Sequence, residues 1–155
     1  MRFVARLIAS LAMLFSAGSS LHAQSAPVIV GSYYEQTVVF QCSSALLQCT
    51  IPFSQPPSNQ LLNVQRINCL FSKLSQTPVY YWFYPSPTLQ GSSFGRNFYF
   101  PVHDLVTSGG FTYGAMNETL DALMGSSRFP TMAIVFGVAG TAGGQCTIIG
   151  TLQNS

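Results

Sequence analysis

Few residues in this sequence could perform acid–base or nucleophilic chemistry. There are two histidines, His22 and His103. His22 falls in an N-terminal segment expected to be removed, so a Ser-His-Asp triad would have to use His103. Its neighbour Asp104 cannot serve it on a strand, where adjacent side chains point to opposite faces. No Gly-x-Ser-x-Gly elbow supplies a nucleophile. Glycoside hydrolysis needs a carboxylate pair, and the acidic residues are only Glu35, Asp104, Glu118 and Asp121. Glu118 and Asp121 would share a face if their segment were helical, and a solvated helix face accounts for them as well as catalysis does. No catalytic residue is therefore assigned, and the chain reads as a non-enzyme.

Sulfur chemistry is the better supported reading. The four cysteines are Cys42, Cys49, Cys69 and Cys146. Structural zinc sites need clustered ligands such as Cys-x-x-Cys, and these cysteines are spread along the chain. Calcium loops and phosphate-binding glycine loops are also missing, so neither metal nor cofactor is expected. An even number of cysteines in an exported chain reads as two disulfides. Of the three possible connectivities, Cys42–Cys49 with Cys69–Cys146 is preferred. The first bridge would pin a short hairpin and the second would close a long loop across the core.

One stretch has a composition suited to binding. Tyr80-Tyr81-Trp82-Phe83-Tyr84 lies between Pro78 and Pro85. On a strand, Tyr80, Trp82 and Tyr84 share one face while Tyr81 and Phe83 take the other. Exposed aromatics with hydroxyl or indole handles suit a sugar ring or a protein partner. Tyr80, Trp82 and Tyr84 are thus the candidate ligand-binding residues, carbohydrate or protein the candidate partner. The competing expectation is that a loop or a second subunit covers them.

These residues must be positioned by a small exported domain. Met1, Arg2 and Arg6 precede the mostly apolar run from Leu7 to Ala17, and the small residue Ala23 follows. That order is a signal peptide, with cleavage expected before Gln24. The apolar run is shorter than the roughly 20 residues that a membrane-spanning helix needs, so no transmembrane segment is expected after processing. Removal of 23 of the 155 residues leaves 132, a size for one domain. The formal charge of +2 disappears with Arg2 and Arg6, leaving Arg66, Lys73, Arg96 and Arg128 against the four acids. Without a basic patch the chain is not a nucleic-acid binder. Zero net charge instead favours self-association, which keeps a structural, self-assembling surface component as a second function class, with a hydrolase third. The location expected is periplasmic or extracellular.

The remaining pattern is β. Strand composition marks residues 28–42, 49–53, 61–71, 79–84, 96–102, 131–137 and 145–152, with turns at 43–48, 54–60, 86–95 and 139–145. In the third segment, Leu62 and Val64 have one parity and Ile67, Cys69 and Phe71 the other, which predicts a bulge near Gln65 and Arg66. Met116, Leu120, Leu123 and Met124 have helical spacing, with Asn117 and Gly125 as caps, so one short helix is assigned over 117–125. The fold expected is an antiparallel β-sandwich, jelly-roll or immunoglobulin-like, of about seven or eight strands.

Overall fold

The structure is a computed structural model that describes residues 21–155. The leader proposed for residues 1–23 lies outside the described residues except for its last three. Among the described residues there are nine strands and no helix. They are β1 (Leu21–Gln24), β2 (Val28–Val30), β3 (Tyr33–Pro52), β4 (Gln60–Leu74), β5 (Pro78–Ser86), β6 (Phe98–Phe100), β7 (Val106–Ser108), β8 (Phe111–Met124) and β9 (Phe129–Asn154). Every pairing is antiparallel.

Two long strands organise the sheet. β3 and β9 run alongside each other from Tyr33↔Thr151 to Pro52↔Thr131. The sequence pattern predicts a hairpin at 43–48 and a turn at 139–145; the structure has neither. Both stretches are bends within a continuing strand pair, marked by register shifts between Cys42, Leu46 and Gln48. Small residues at Gly137, Ala139 and Gly140 allow the bend in β9. Cys42 and Cys49 lie 5.8 Å apart at Cα, whereas seven extended residues would span roughly 23 Å. Their disulfide therefore closes the bend in β3.

The bend divides the sheet into two arms. In the first, order runs β1–β3–β9–β4–β8–β7, with β2 on the same edge as β1. In the second, the far half of β9 lies between β3 and β5, and β6 extends the edge. The arms share one core. Val38, Phe40, Ile67 and Ile148 from the first belong to the same buried cluster as Ile51, Phe83, Met132 and Ile134 from the second. Phe71 of β4 stacks on Tyr81 of β5 with ring centroids 4.7 Å apart, although β4 and β5 are not paired strands. The fold is all-β and antiparallel, is not closed into a barrel, and is consistent with the expected sandwich.

Within the first arm, β4 shows the expected break of parity. Leu62 and Val64 are buried, Gln65 and Arg66 are exposed, and Ile67, Cys69 and Phe71 are buried again. The register shifts between Val64 and Arg66 against both neighbours, which is a bulge that turns the second half of the strand inward. Cys69 and Cys146 are directly opposite each other in β4 and β9, 4.1 Å apart at Cα. Their disulfide staples neighbouring strands, not facing layers as the sequence reading had it. Close backbone approach in β9 requires glycine. A Cβ on Gly150 would lie 2.2 Å from the Asn63 carbonyl oxygen, and one on Gly144, where φ is +153°, would lie 2.1 Å from that of Leu70.

The helix expected over 117–125 is strand β8. Met116, Ala122 and Met124 are buried, and Leu120 packs against the core. Positions 116, 120 and 124 satisfy a four-residue period and a two-residue period alike, so spacing alone could not separate helix from strand. Leu123 separates them: it is 58% exposed, on the outer face where period two places it. Pairing with β4 along most of its length decides for strand.

Candidate functional site: the aromatic face of β5 and β6

β5 is an aromatic strand because both of its faces have work for large rings. Tyr81 and Phe83 point into the core, at 1% and 0% exposure. Tyr80, Trp82 and Tyr84 take the opposite, outer face. There they meet β9 opposite Val135, Ala133 and Thr131 respectively. Ala133 and Thr131 are small, and both are fully buried.

The three candidate residues differ in their fate. Tyr84 is completely buried. The segment after β5 folds back over it: its hydroxyl donates to the Gly91 carbonyl at 3.3 Å, and the Phe94 amide donates to the Pro85 carbonyl at 2.9 Å. Ser86 anchors the start of that segment by donating to the Thr88 carbonyl at 2.6 Å. Burial pushes the Tyr84 phenol up to about 12, partly offset by a hydrogen bond with Gln48. A loop therefore covers this member of the set and takes it out of contact with ligand. Tyr80 and Trp82 stay half-buried.

A fourth ring completes the surface. Tyr99 of β6 pairs with Trp82 and is 60% exposed. Its ring stacks on Trp82 at 5.8 Å and 22°, and Tyr80 meets it edge-on at 5.7 Å. Trp82 in turn contacts Tyr84 at 4.5 Å. Tyr99 escaped the sequence reading, though the signal was present. Tyr99 alternates with Phe98 and Phe100 in the 96–102 segment, and parity sends it to the face opposite theirs, where the β5 rings are.

No charged residue occurs in β5 or β6. Outside these strands, Arg128 stacks over Phe94 at 4.1 Å, and Arg96 lies two residues before β6. The Trp82 indole Nε1 is buried and has no hydrogen-bond partner, as is the Tyr81 hydroxyl on the core side. The surface is thus aromatic, with no charge from its own strands and with phenol hydroxyls on Tyr80 and Tyr99.

The acid–base candidates do not assemble. On β8, Glu118 alternates with Asp121, so the two carboxylates lie on opposite faces of the strand. Glu118 instead contacts His103 Nε2 at 3.4 Å, an exposed pair at the sheet surface. Asp104 sits beside it in a left-handed loop conformation, φ 54°. Glu35 accepts a hydrogen bond from the Tyr33 hydroxyl at the far edge of the first arm. Among the described residues, no three His, Cys, Asp or Glu side chains converge as a metal site would require. All four cysteines are in disulfides, Cys42–Cys49 and Cys69–Cys146.

Comparison with protein families, with curated proteins and with solved structures finds no match to this chain.

Proposed function

We propose that this protein is an exported, non-enzymatic binding module whose Tyr80–Trp82–Tyr99 face receives a neutral sugar ring. The observation that carries the reading is Tyr99, 60% exposed and held by two half-buried rings. Aromatic faces offer flat apolar contact to the C–H face of a sugar, and phenol hydroxyls offer hydrogen bonds at the rim. An ordered ring loses little side-chain freedom on binding. The absence of charge from both strands favours a neutral ligand over an ionic one. Two disulfides support an oxidising compartment, and no helix among the described residues is long and apolar enough to cross a membrane.

The test is binding of the exported protein to a glycan array, repeated with Trp82→Ala and Tyr99→Ala. Binding to one or more glycans that falls at least tenfold in either variant supports the reading. Binding unchanged in both removes this face as the site. Capture of a protein in place of any glycan would assign the same face to a protein partner.

A further inference from the structure

We infer that the edge of β3 from Val38 to Cys42 is a strand-acceptor site, freed when the leader is cut, and that a second copy of this chain occupies it edge to edge. The inference rests on the cleavage part of the proposed function and is independent of the sugar site.

The uncut chain shows that a strand fits this edge. β1 pairs there through Leu21↔Gln41, His22↔Phe40, Ala23↔Val39 and Gln24↔Val38. Cleavage before Gln24 would remove three of those four partners. What stays is anchored: the Gln24 side chain donates to the Pro52 carbonyl at 2.7 Å, and the Ser25 amide donates to the Thr37 carbonyl at 3.3 Å. The tail is therefore held against β3 up to Val38, and the edge beyond it loses its cover.

The direction of the freed groups follows from the same bond. The Thr37 carbonyl points away from β9, toward the edge. In an antiparallel sheet both polar backbone groups of a residue point to one side, and the side alternates. The amides and carbonyls of Val39 and Gln41 therefore also point to the edge, while those of Val38 and Phe40 bond to β9. An unpaired row of this kind templates another strand.

Three observations favour a second copy as the occupant. Residues 36–65 contain no charged side chain, so the edge lacks the lysines and inward charges that usually block pairing. The chain from Gln24 onward carries equal numbers of cations and anions, which leaves little repulsion between copies. The outer face beside the edge carries exposed apolar side chains on either side of Gln145: Val39 is 52% exposed and Leu70 57%. Both line a cleft of about 750 Å3, to which Gln145 and Lys73 also contribute. An antiparallel pair about a two-fold axis near Gln41 would set Val39 of one copy opposite Ser43 of the other. The retained tail at Gln24 stays clear of that overlap.

Native mass spectrometry of the exported protein reads both parts together. The expected result is a subunit beginning at Gln24 that assembles as a dimer. Val39→Pro removes only the edge-pointing amide, so the β3–β9 ladder stays intact and the mass should halve. Gln41→Lys, which sets two ammonium groups side by side at the two-fold, should also halve it should the proline prove disruptive. A subunit that begins at Gln24 and is monomeric would overturn the inference alone. A dimer that survives both substitutions would do the same. A subunit that retains residues 21–23 would overturn the cleavage reading, and the edge would then never be freed.

Discussion

Two buried polar atoms on β5 define what single residues contribute here. The Tyr81 hydroxyl and the Trp82 indole Nε1 have no hydrogen-bond partner, and an unpaired buried donor costs about 1–3 kcal/mol. Tyr81→Phe keeps the ring stacked on Phe71 and removes the orphan hydroxyl. It should raise stability by about 1 kcal/mol, read as a shift of a few degrees in thermal melting. Gly150 is the opposite case. Its missing Cβ lets the Asn63 carbonyl approach, and Gly150→Ala should cost about 1–3 kcal/mol or prevent folding, which denaturant titration would measure. Alkali offers a third check. Burial raises the phenols of Tyr34, Tyr81 and Tyr84 from 10.0 to about 12. Above pH 10 the unfolded chain therefore loses protons that the folded chain keeps, so stability holds below pH 10 and falls between 10 and 12. A spectroscopic titration should show these phenols ionising together with unfolding; their ionisation as free phenols near 10 in an intact fold would contradict their placement.

At the scale of elements, the bent β3–β9 pair and its two disulfides carry the architecture. Cys42–Cys49 closes a separation of 7 residues and Cys69–Cys146 one of 77. In the chain-entropy account these are worth about 2 and about 4 kcal/mol respectively. Replacing Cys69 and Cys146 by alanine should thus destabilise more than replacing Cys42 and Cys49, measured by the denaturant midpoint; the reverse order would place the critical staple at the bend. The bend itself was not legible in the sequence. Residues 43–48 and 139–145 break strand composition, but nothing local says whether a chain turns back or continues. That depends on the partner strand, and here each strand's break faces the other's. The bulge at Gln65 was legible because a parity change is a local fact. The strand nature of 117–124 was not, because Met116, Leu120 and Met124 fit both periods and only pairing with β4 chooses between them. The outer face of β5 was visible from alternation, yet the cover over Tyr84 was not, since a glycine- and serine-rich loop gives no sign of where it folds. Tyr99 was within reach of the same parity rule applied to its own strand.

For the whole molecule, the poverty of charge and the arrangement of sulfur point the same way. The carboxylates of Glu118 and Asp121 lie on opposite faces of β8, which gives no support to the carboxylate pair that glycoside hydrolysis needs. The molecule carries an aromatic surface on β5 and β6 and disulfides at the bend of β3 and within the first arm. Pairing of residues 21–24 with β3 bears on the proposed cleavage: in the folded, uncut chain the Ala23–Gln24 bond lies within a paired strand, so the cut we propose precedes folding of the first arm, which then forms with its Val38–Cys42 edge uncovered. The central claim, an exported domain held by oxidised sulfur, is tested most directly by peptide mass mapping of the secreted protein without reduction. The account predicts an N-terminus at Gln24, linked peptides joining Cys42 to Cys49 and Cys69 to Cys146, and no thiol that alkylates before unfolding. Cysteines that alkylate in the folded protein, or a chain that keeps residues 1–23, would contradict it.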